Sequence, residues 1–439
     1  MVGEAAFRPA AMPVRLTWNL AELAFLGFLF LIFVTLEPFA TRDAVTLAGG
    51  ESGFTGAGDA LRQVAYLAVF LFVAFAAVRQ RGFDALFCIP PLFAALLAWC
   101  ALSAAWSAAP DVVFRRAVLE IVIVMSAMMG VATLGMERSI ALLRVVLGAV
   151  LVINWLSIPL VHNAIHLPGE TDPALVGDWR GLYFHKNIAG SVSAITAILF
   201  FFRALKHRPL LNGAFCAGAL GFTIMTASKS SIGLLPLAIA AGCIYARIWR
   251  DGIDRAIAAV VMLLAVLAGC FALTTHLHAV LHALSDPTEL TGRTAIWTGE
   301  IGFIRDHLLL GAGFGSFADT GGASPLHAYV ADKWVQNISH GHNAYLQLLV
   351  TIGVPGFALA MIVFILAPAR QLWRFDPAQA GAKAVLAAVF VFMALHNSLE
   401  SDFLEGEDPA WVGFLLMLAM LRGFDLARPR TGYRRGMSP

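Results

Sequence analysis

Apolar runs of about twenty residues, almost free of charge, recur along the whole chain and restrict its fold more than any other feature. Such a run is the length a helix needs to cross the hydrocarbon of a bilayer, about 20 residues. No water is present there to bond the backbone, so each crossing segment must satisfy its own N–H and C=O groups. Read this way the chain has about twelve spans, at 17–38, 61–78, 84–105, 113–135, 139–162, 187–204, 210–227, 231–249, 254–275, 344–367, 383–398 and 410–424. Only 13% of the 439 residues are charged and 59% are hydrophobic, whereas about a quarter of a soluble chain is charged. That leaves too little polar surface to coat a water-exposed globule. The expected fold is an all-α integral membrane protein, one polytopic domain over 1–439. The first span is too long and apolar for a cleaved signal sequence, and no small-residue cleavage site follows it. Cys88, Cys100, Cys216, Cys243 and Cys270 fall inside predicted spans, far apart, and offer neither a disulfide framework nor a CxxC metal site.

An even number of spans puts both termini on one side. Placing them in the cytoplasm gathers Arg8 and Arg15, Arg79 and Arg81, Arg138 and Arg144, the three cations of 203–208, the three of 247–255, Arg370, Arg374 and Lys383, and the five carboxy-terminal arginines at the inner side, 20 of the 30 basic residues, as the positive-inside bias requires. Ten lie outside against that bias: Arg42, Arg62, Arg115, Arg116, Arg180, Lys186, Lys229, Arg293, Arg305 and Lys333. A few outer cations need no explanation, and Arg42, Arg62 and Lys333 are read so. Arg115, Arg116, Arg180, Lys186 and Arg293 stand inside unusual motifs at the membrane edge, where an anionic lipid head group would meet them.

Two outer connections are long, about 163–186 and 276–343. A structureless loop as long as the second is improbable. Its middle is helix-periodic, with Trp297, Ile301, Ile304 and Leu308 on one stripe and Thr291 as an N-cap. The spacing predicts a helix lying on the membrane surface, stripe down, with Arg293 pointing to the head-group layer. Gly311-Ala-Gly-Phe-Gly315 turns the chain afterwards; it has GxGxG spacing but follows no strand, so a nucleotide loop is not expected. In the short acidic connection 397–408, Glu400 and Asp402 invite a metal reading, against which stands ordinary solvated loop charge.

Three outer stretches stand together. Trp179-Arg-Gly-Leu-Tyr-Phe-His-Lys-Asn-Ile-Ala-Gly190 opens the sixth span, Leu290-Thr-Gly-Arg-Thr-Ala-Ile-Trp297 lies in the large loop, and His340-Gly-His-Asn-Ala-Tyr-Leu-Gln-Leu-Leu-Val-Thr-Ile-Gly-Val-Pro-Gly356 opens the tenth. The combination resembles the O-antigen ligase and polysaccharide polymerase family. His342-Asn343 followed by Gly353-x-x-Gly356 looks like its signature, Trp106-Ser107 and Pro110 before Arg115-Arg116 match a common pattern, and Arg180-Gly before His185-Lys-Asn is most similar to the exopolysaccharide polymerase branch. The resemblance spans about 100–420 and implies a membrane glycosyltransferase of the C type with a large helical periplasmic loop between helices 9 and 10 capping the active site. It further implies an undecaprenyl-diphosphate-linked oligosaccharide donor, a glycan acceptor, and neither cofactor nor metal. By motif, His342 is the catalytic histidine, and Arg180 and Arg293 hold the diphosphate. Lys186 and Arg116 are further diphosphate candidates. His340, Asn343, His185, Asn187, Arg115, Trp297, Glu400 and Asp402 are secondary candidates. A chain-length regulator is a further candidate partner, and no nucleic acid is expected.

The chemistry asks for such residues. A sugar hydroxyl is a poor nucleophile at neutral pH and needs a general base, most often histidine. A departing diphosphate needs fixed positive charge, which arginine supplies in a planar bidentate fork. The donor bond already stores the energy, so a single inverting displacement is the simplest mechanism. Against this, a histidine at a span boundary is often only a hydrogen-bonded interface residue, and Trp179, Tyr183 and Trp297 are as readily interfacial anchors as sugar platforms. Within the enzyme class a polymerase and a ligase onto lipid A core use the same donor chemistry. The His185-Lys-Asn pattern and the Asn397-to-Asp402 segment favour the polymerase. A transporter would keep its polar residues near the midplane on broken helices, whereas here they sit at outer ends; a non-catalytic export scaffold is a third class.

Overall fold

The computed structural model describes residues 18–40, 60–170, 175–248, 293–318, 320–331, 333–336, 338, 341–374 and 379–426. The helices are α1 (Leu20–Val34), α2 (Ala60–Arg81), α3 (Pro91–Leu102), α4 (Pro110–Leu134), α5 (Met136–Leu160), α6 (Lys186–Ala204), α7 (Pro209–Met225), α8 (Lys229–Ile248) and α9 (Arg293–His307). They continue with α10 (Ala344–Met361), joined by a π turn to α11 (Ala367–Trp373), then α12 (Ala380–His396) and α13 (Pro409–Leu426). Six are long and apolar enough to cross a membrane, the α10–α11 rod counted as one, and five more are apolar but shorter. Eleven of the predicted spans fall on these helices; the one at 254–275, with Cys270, Thr291 and His340, lies outside the described residues. No strand occurs among the described residues, only an isolated antiparallel bridge between Ile165 and Trp179. The protein is an all-helical, multi-pass membrane protein.

Burial ranks the helices by how far they are from lipid. In α13 every residue from 409 to 421 is buried, and Trp411, fully enclosed, packs edge-on against Phe364 at 5.2 Å while Phe403 meets Phe414 at the same separation. Helix α6 is the other central element. Its Gly190, Ser191, Ser193 and Thr196 let neighbours come close, as small residues do in membrane bundles, and the Thr196 hydroxyl donates back to the Val192 carbonyl at 2.7 Å. Helix α2 has an apolar surface on most sides, with only 22% of its spanning window buried. Both central helices begin at the same end of the bundle, and the site lies there.

Helix α10 is broken where the motif has its first glycine. Gly353 takes φ 64, which is open to glycine at no steric cost, and a Cβ there would sit 2.2 Å from the Leu309 oxygen. Pro355 has no N–H to return to Thr351. The carbonyls of Val350 and Thr351 therefore accept instead from the Ala312 and Gly313 N–H groups at 2.8 and 2.9 Å, and the Val354 N–H donates to Leu308 O at 3.0 Å. The glycine-rich segment 311–315 is thus docked into a kinked helix. Trp106 and Ser107 hold it from the other side, through Nε1–H to Leu310 O at 3.1 Å and a hydroxyl contact with Ser316 at 2.9 Å. The late glycine pair and the Trp-Ser pattern are two halves of one joint.

Helix α9 forms in the large connection before α10 as expected, and the face it packs against the protein is not the predicted stripe. Thr294, Ile296, Gly299, Glu300 and Phe303 are buried, whereas Ile301 and Leu308 of the predicted stripe are 41% and 48% exposed. Phe303, with Phe317 at 5.0 Å and Tyr329 at 5.4 Å, draws that face onto a small core of the loop's own. Of the predicted stripe, Ile301 and Leu308 are left facing outward, while Ile304 packs at the edge of that core.

Candidate active site

His342 sits just before α10 with φ 52, a left-handed conformation that is uncommon for a histidine and costs about 1 kcal/mol or more. Asn343 follows as the N-cap, its Oδ1 accepting from the Tyr345 and Leu346 N–H groups at 3.1 and 3.2 Å. The turn aims the imidazole at Glu400, whose Oε2 lies 3.0 Å from His342 Nδ1. The other carboxylate oxygen, Oε1, accepts from Arg293 Nη2 at 2.8 Å and from Asn187 Nδ2 at 2.8 Å. Arg293 also donates through Nη1 to the Leu399 carbonyl at 2.5 Å. One carboxylate thus ties together the start of α6, the start of α9, the start of α10 and the α12–α13 connection. Burial alone would push Glu400 up, but the His342 hydrogen bond and the charges of His342, Arg293 and His396 outweigh it and hold the carboxyl well below its ordinary range. Glu400 is 6% exposed, yet Arg293 and His342 keep 18% and 24% of their side chains open to the outside.

The sequence weighed Glu400 and Asp402 as solvated loop charge; both are buried, at 5% and 8%. Nor do they face one point. Asp402 turns to His396 Nδ1 at 2.8 Å and to Asn397 Nδ2 at 3.1 Å, away from the His342 side of Glu400. The connection folds inward because the Ala344 N–H donates to both Asn397 O and Glu400 O, at 2.9 and 3.0 Å, and the Asn343 N–H donates to Ser401 Oγ at 3.0 Å.

Beside this group lies a second one. Arg180 is fully buried and pairs with Glu170 at 3.2 Å, donating also to the carbonyls of Asn163 and Phe184 at 2.7 and 3.2 Å. Glu170 reaches His166 Nδ1 at 2.7 Å, His166 Nε2 accepts the Lys186 N–H at 3.2 Å, and Lys186 Nζ meets Asp178 at 2.6 Å. His185 bridges the two groups. Its Nδ1 accepts the Asn187 N–H at 3.2 Å, its ring is 5.6 Å from that of His166, and burial pushes it down to about 3, so it is neutral at pH 7.

Of the other candidates, Arg115 and Arg116 bond elsewhere, whereas Trp297 adjoins His342. Arg116 donates to the Gly315 carbonyl, and Arg115 pairs with Asp111 at 3.3 Å on the exposed side of α4. Trp297 donates Nε1–H to the Gly341 carbonyl at 2.9 Å, covering the backbone just before His342. Tyr183 is buried with its hydroxyl on Phe33 O at 2.9 Å, so it presents no face to a sugar. Lys229 is exposed at the start of α8. Two residues were not singled out by the sequence: Gln347, whose amide contacts Gly341 and Glu405, and Glu300, buried in α9 with Oε2 lacking a partner and burial raising it to about 8.

A multi-pass helical membrane protein with a histidine, an arginine and a shared carboxylate at one end of the bundle is the class these features define. Within that class, the sequence model of the O-antigen ligase family matches residues 214–361, about a third of the chain, and confirms the similarity to the O-antigen ligase and polysaccharide polymerase family. The matched segment contains Arg293, His342, Gly353 and Gly356 and ends before Glu400. It does not divide ligases from polymerases, nor does it mark the exopolysaccharide branch. No curated protein matches the chain.

Proposed function

We propose that the protein is a glycosyltransferase of the bacterial inner membrane that polymerises undecaprenyl-diphosphate-linked oligosaccharide units on the periplasmic face. In this reading there are about twelve spans, both termini are cytoplasmic, and the connection 276–343 caps the site. The observation that carries it is Glu400 held between His342 and Arg293 at 3.0 and 2.8 Å, with both partners still partly open.

Glu400 fixes the imidazole with its proton on Nδ1, which leaves Nε2 as the atom that accepts a proton from the acceptor hydroxyl. The hydroxyl oxygen attacks the anomeric carbon. The bond from that carbon to the diphosphate oxygen breaks, the lipid diphosphate departs with the electron pair, and the configuration inverts. Glu400 then stabilises the imidazolium that has formed. Arg293 has five N–H donors, of which Leu399 and Glu400 take two, and it meets the charge gathering on the leaving diphosphate. This is work a metal ion would otherwise do, so the mechanism runs through none. Arg180 and Lys186, paired with Glu170 and Asp178, support the site from behind.

His342→Ala and Arg293→Lys are each expected to abolish polymer while the protein inserts normally; the lysine keeps the charge and loses the fork. Polymer retained in both overturns the assignment. Glycan from a deletion strain separates the two transfer reactions: single repeats left unpolymerised mean a polymerase, long chains left unattached mean a ligase.

A further inference from the structure

We propose that Gln347, clamped between Glu405 and the backbone of Gly341, is a positioning residue that sets the direction of the His342 imidazole. The inference rests on the reading of His342 as the base and extends it to residues that touch no substrate.

His342 is reached through Gly341, and both polar backbone groups of Gly341 are held by side chains. Its N–H donates to Gln347 Oε1 at 3.1 Å, and its carbonyl accepts from Trp297 Nε1 at 2.9 Å. Its α-carbon lies against Glu300, whose Oε1 would be 1.9 Å from an added Cβ. Fixing that peptide from three sides is what a left-handed histidine at the next position needs, because an L side chain does not stay there unaided. On its other side the Gln347 amide donates Nε2–H to a Glu405 carboxylate oxygen. Burial raises the Glu405 carboxyl to about 8, and the charge of Arg116, which is bonded to the Gly315 carbonyl, works against that rise. The hydrogen bonds therefore run from the α12–α13 connection to the first turn of α10, and they end on the N–H of Gly341, the residue before His342.

The amide presents an oxygen to one neighbour and an N–H to the other, whereas an ionised carboxylate only accepts and a thioether donates nothing. Gln347→Glu keeps the acceptor for Gly341 but sets a carboxylate against Glu405. Adding Glu405→Gln restores a donor between the two positions with the polarity reversed, so the pair is an internal swap. Gln347→Met keeps the length and loses both bonds.

The test uses the full-length protein in lipid nanodiscs, with the lipid-linked repeat unit extracted from the deletion strain as substrate. Gln347→Glu and Gln347→Met are expected to lower kcat about 10²-fold, the effect of a misplacement of about 1 Å. The donor KM should stay within about threefold, since Arg293 is untouched, and the double variant should recover kcat to within about fivefold of the parent. Wild-type kcat in Gln347→Met, or a double variant that melts like the parent yet stays as slow as Gln347→Glu, overturns the positioning role. If Gln347→Glu does not accumulate, Gln347→Met and the double variant decide alone. His342→Ala runs alongside: an active His342→Ala brings down the reading of the base itself, whereas an inactive one beside a fully active Gln347→Met brings down this inference only.

Discussion

The two polar groups at the mouth of the bundle have nearly the same inventory. Each has an arginine, a histidine and a glutamate, with Arg180, His166 and Glu170 in one and Arg293, His342 and Glu400 in the other. In the first, the arginine is fully buried and the histidine only 2% exposed. In the second, the carboxylate is buried but both of its partners reach outward. Arg180, Glu170 and His166 are enclosed, whereas the half-open group leaves room for a ligand on the side its carboxylate does not occupy; Lys186, joined to the closed group through His166, is open to 16%. The two groups differ in accessibility rather than in composition.

The largest expected effect tests the open group. Glu400→Gln keeps the shape and removes the charge that orients His342, and kcat of the folded enzyme is expected to fall about 10³-fold, with a lower melting temperature because the same charge stabilises the fold. Turnover within tenfold of the parent would show that Glu400 is not the partner of the base, and the contrast between the groups would lose its meaning. Next comes the closed group. Arg180→Met leaves Glu170 buried without its arginine, a loss of about 3 kcal/mol or more, read as a lower melting temperature in detergent. The enzyme that remains folded should turn over at close to the parent rate. A large drop in turnover without a drop in melting temperature would move Arg180 onto the diphosphate.

The helices were legible because the requirement behind them is local: about 20 apolar residues cross the membrane whatever their neighbours are. His342-Asn343 was legible as a motif, and the structure supplies a local reason, an N-cap that starts α10. Glu400 was not legible. Its burial depends on bonds from Ala344 and Asn343 to Asn397, Glu400 and Ser401, more than fifty residues away, and no spacing rule shows that a short acidic connection folds back under a distant helix. The stripe on α9 shows how far such a pattern reaches, since an apolar face does not say what it faces. While Ile301 and Leu308 stay exposed, Phe303 and Ile304 join a small core that the sequence did not announce. Gln347 lay in plain view inside the motif, but a polar residue one turn into a helix carries no signal until both its neighbours are placed.

A smaller effect, spread over pH, tests the bridge between the groups. His185 is held neutral down to about 3 in the fold, against about 6.5 in the unfolded chain. Between those values the unfolded state binds the extra proton, so stability is complete above about pH 6.5 and is lost as the pH falls. The depressed Glu400 acts in the same direction, its contribution being present above its ordinary range and lost toward acid. His185 therefore pulls the melting temperature down as the pH falls from 6.5, against Glu300 and Glu405, whose carboxyls, raised by burial, add stability over the same range. His185→Gln should take the His185 contribution out of the profile. An unchanged profile in that variant would remove His185 as a contributor to it.

The smallest effect separates two neighbours that the sequence treated alike. Arg115 and Arg116 are adjacent, and one residue along a helix turns the side chain by about 100°. Arg116 is thereby directed inward to Gly315 and the Glu405 side of the site, while Arg115 is left beside Asp111 one turn earlier, 37% exposed. An exposed pair of that kind is worth about 0.5 kcal/mol or less. Arg115→Ala should leave the melting temperature within about one degree and turnover within about twofold. A tenfold rise in donor KM for Arg115→Ala would show that an exposed cation at the membrane edge meets the lipid diphosphate, and the half-open group would then no longer account for donor binding by itself.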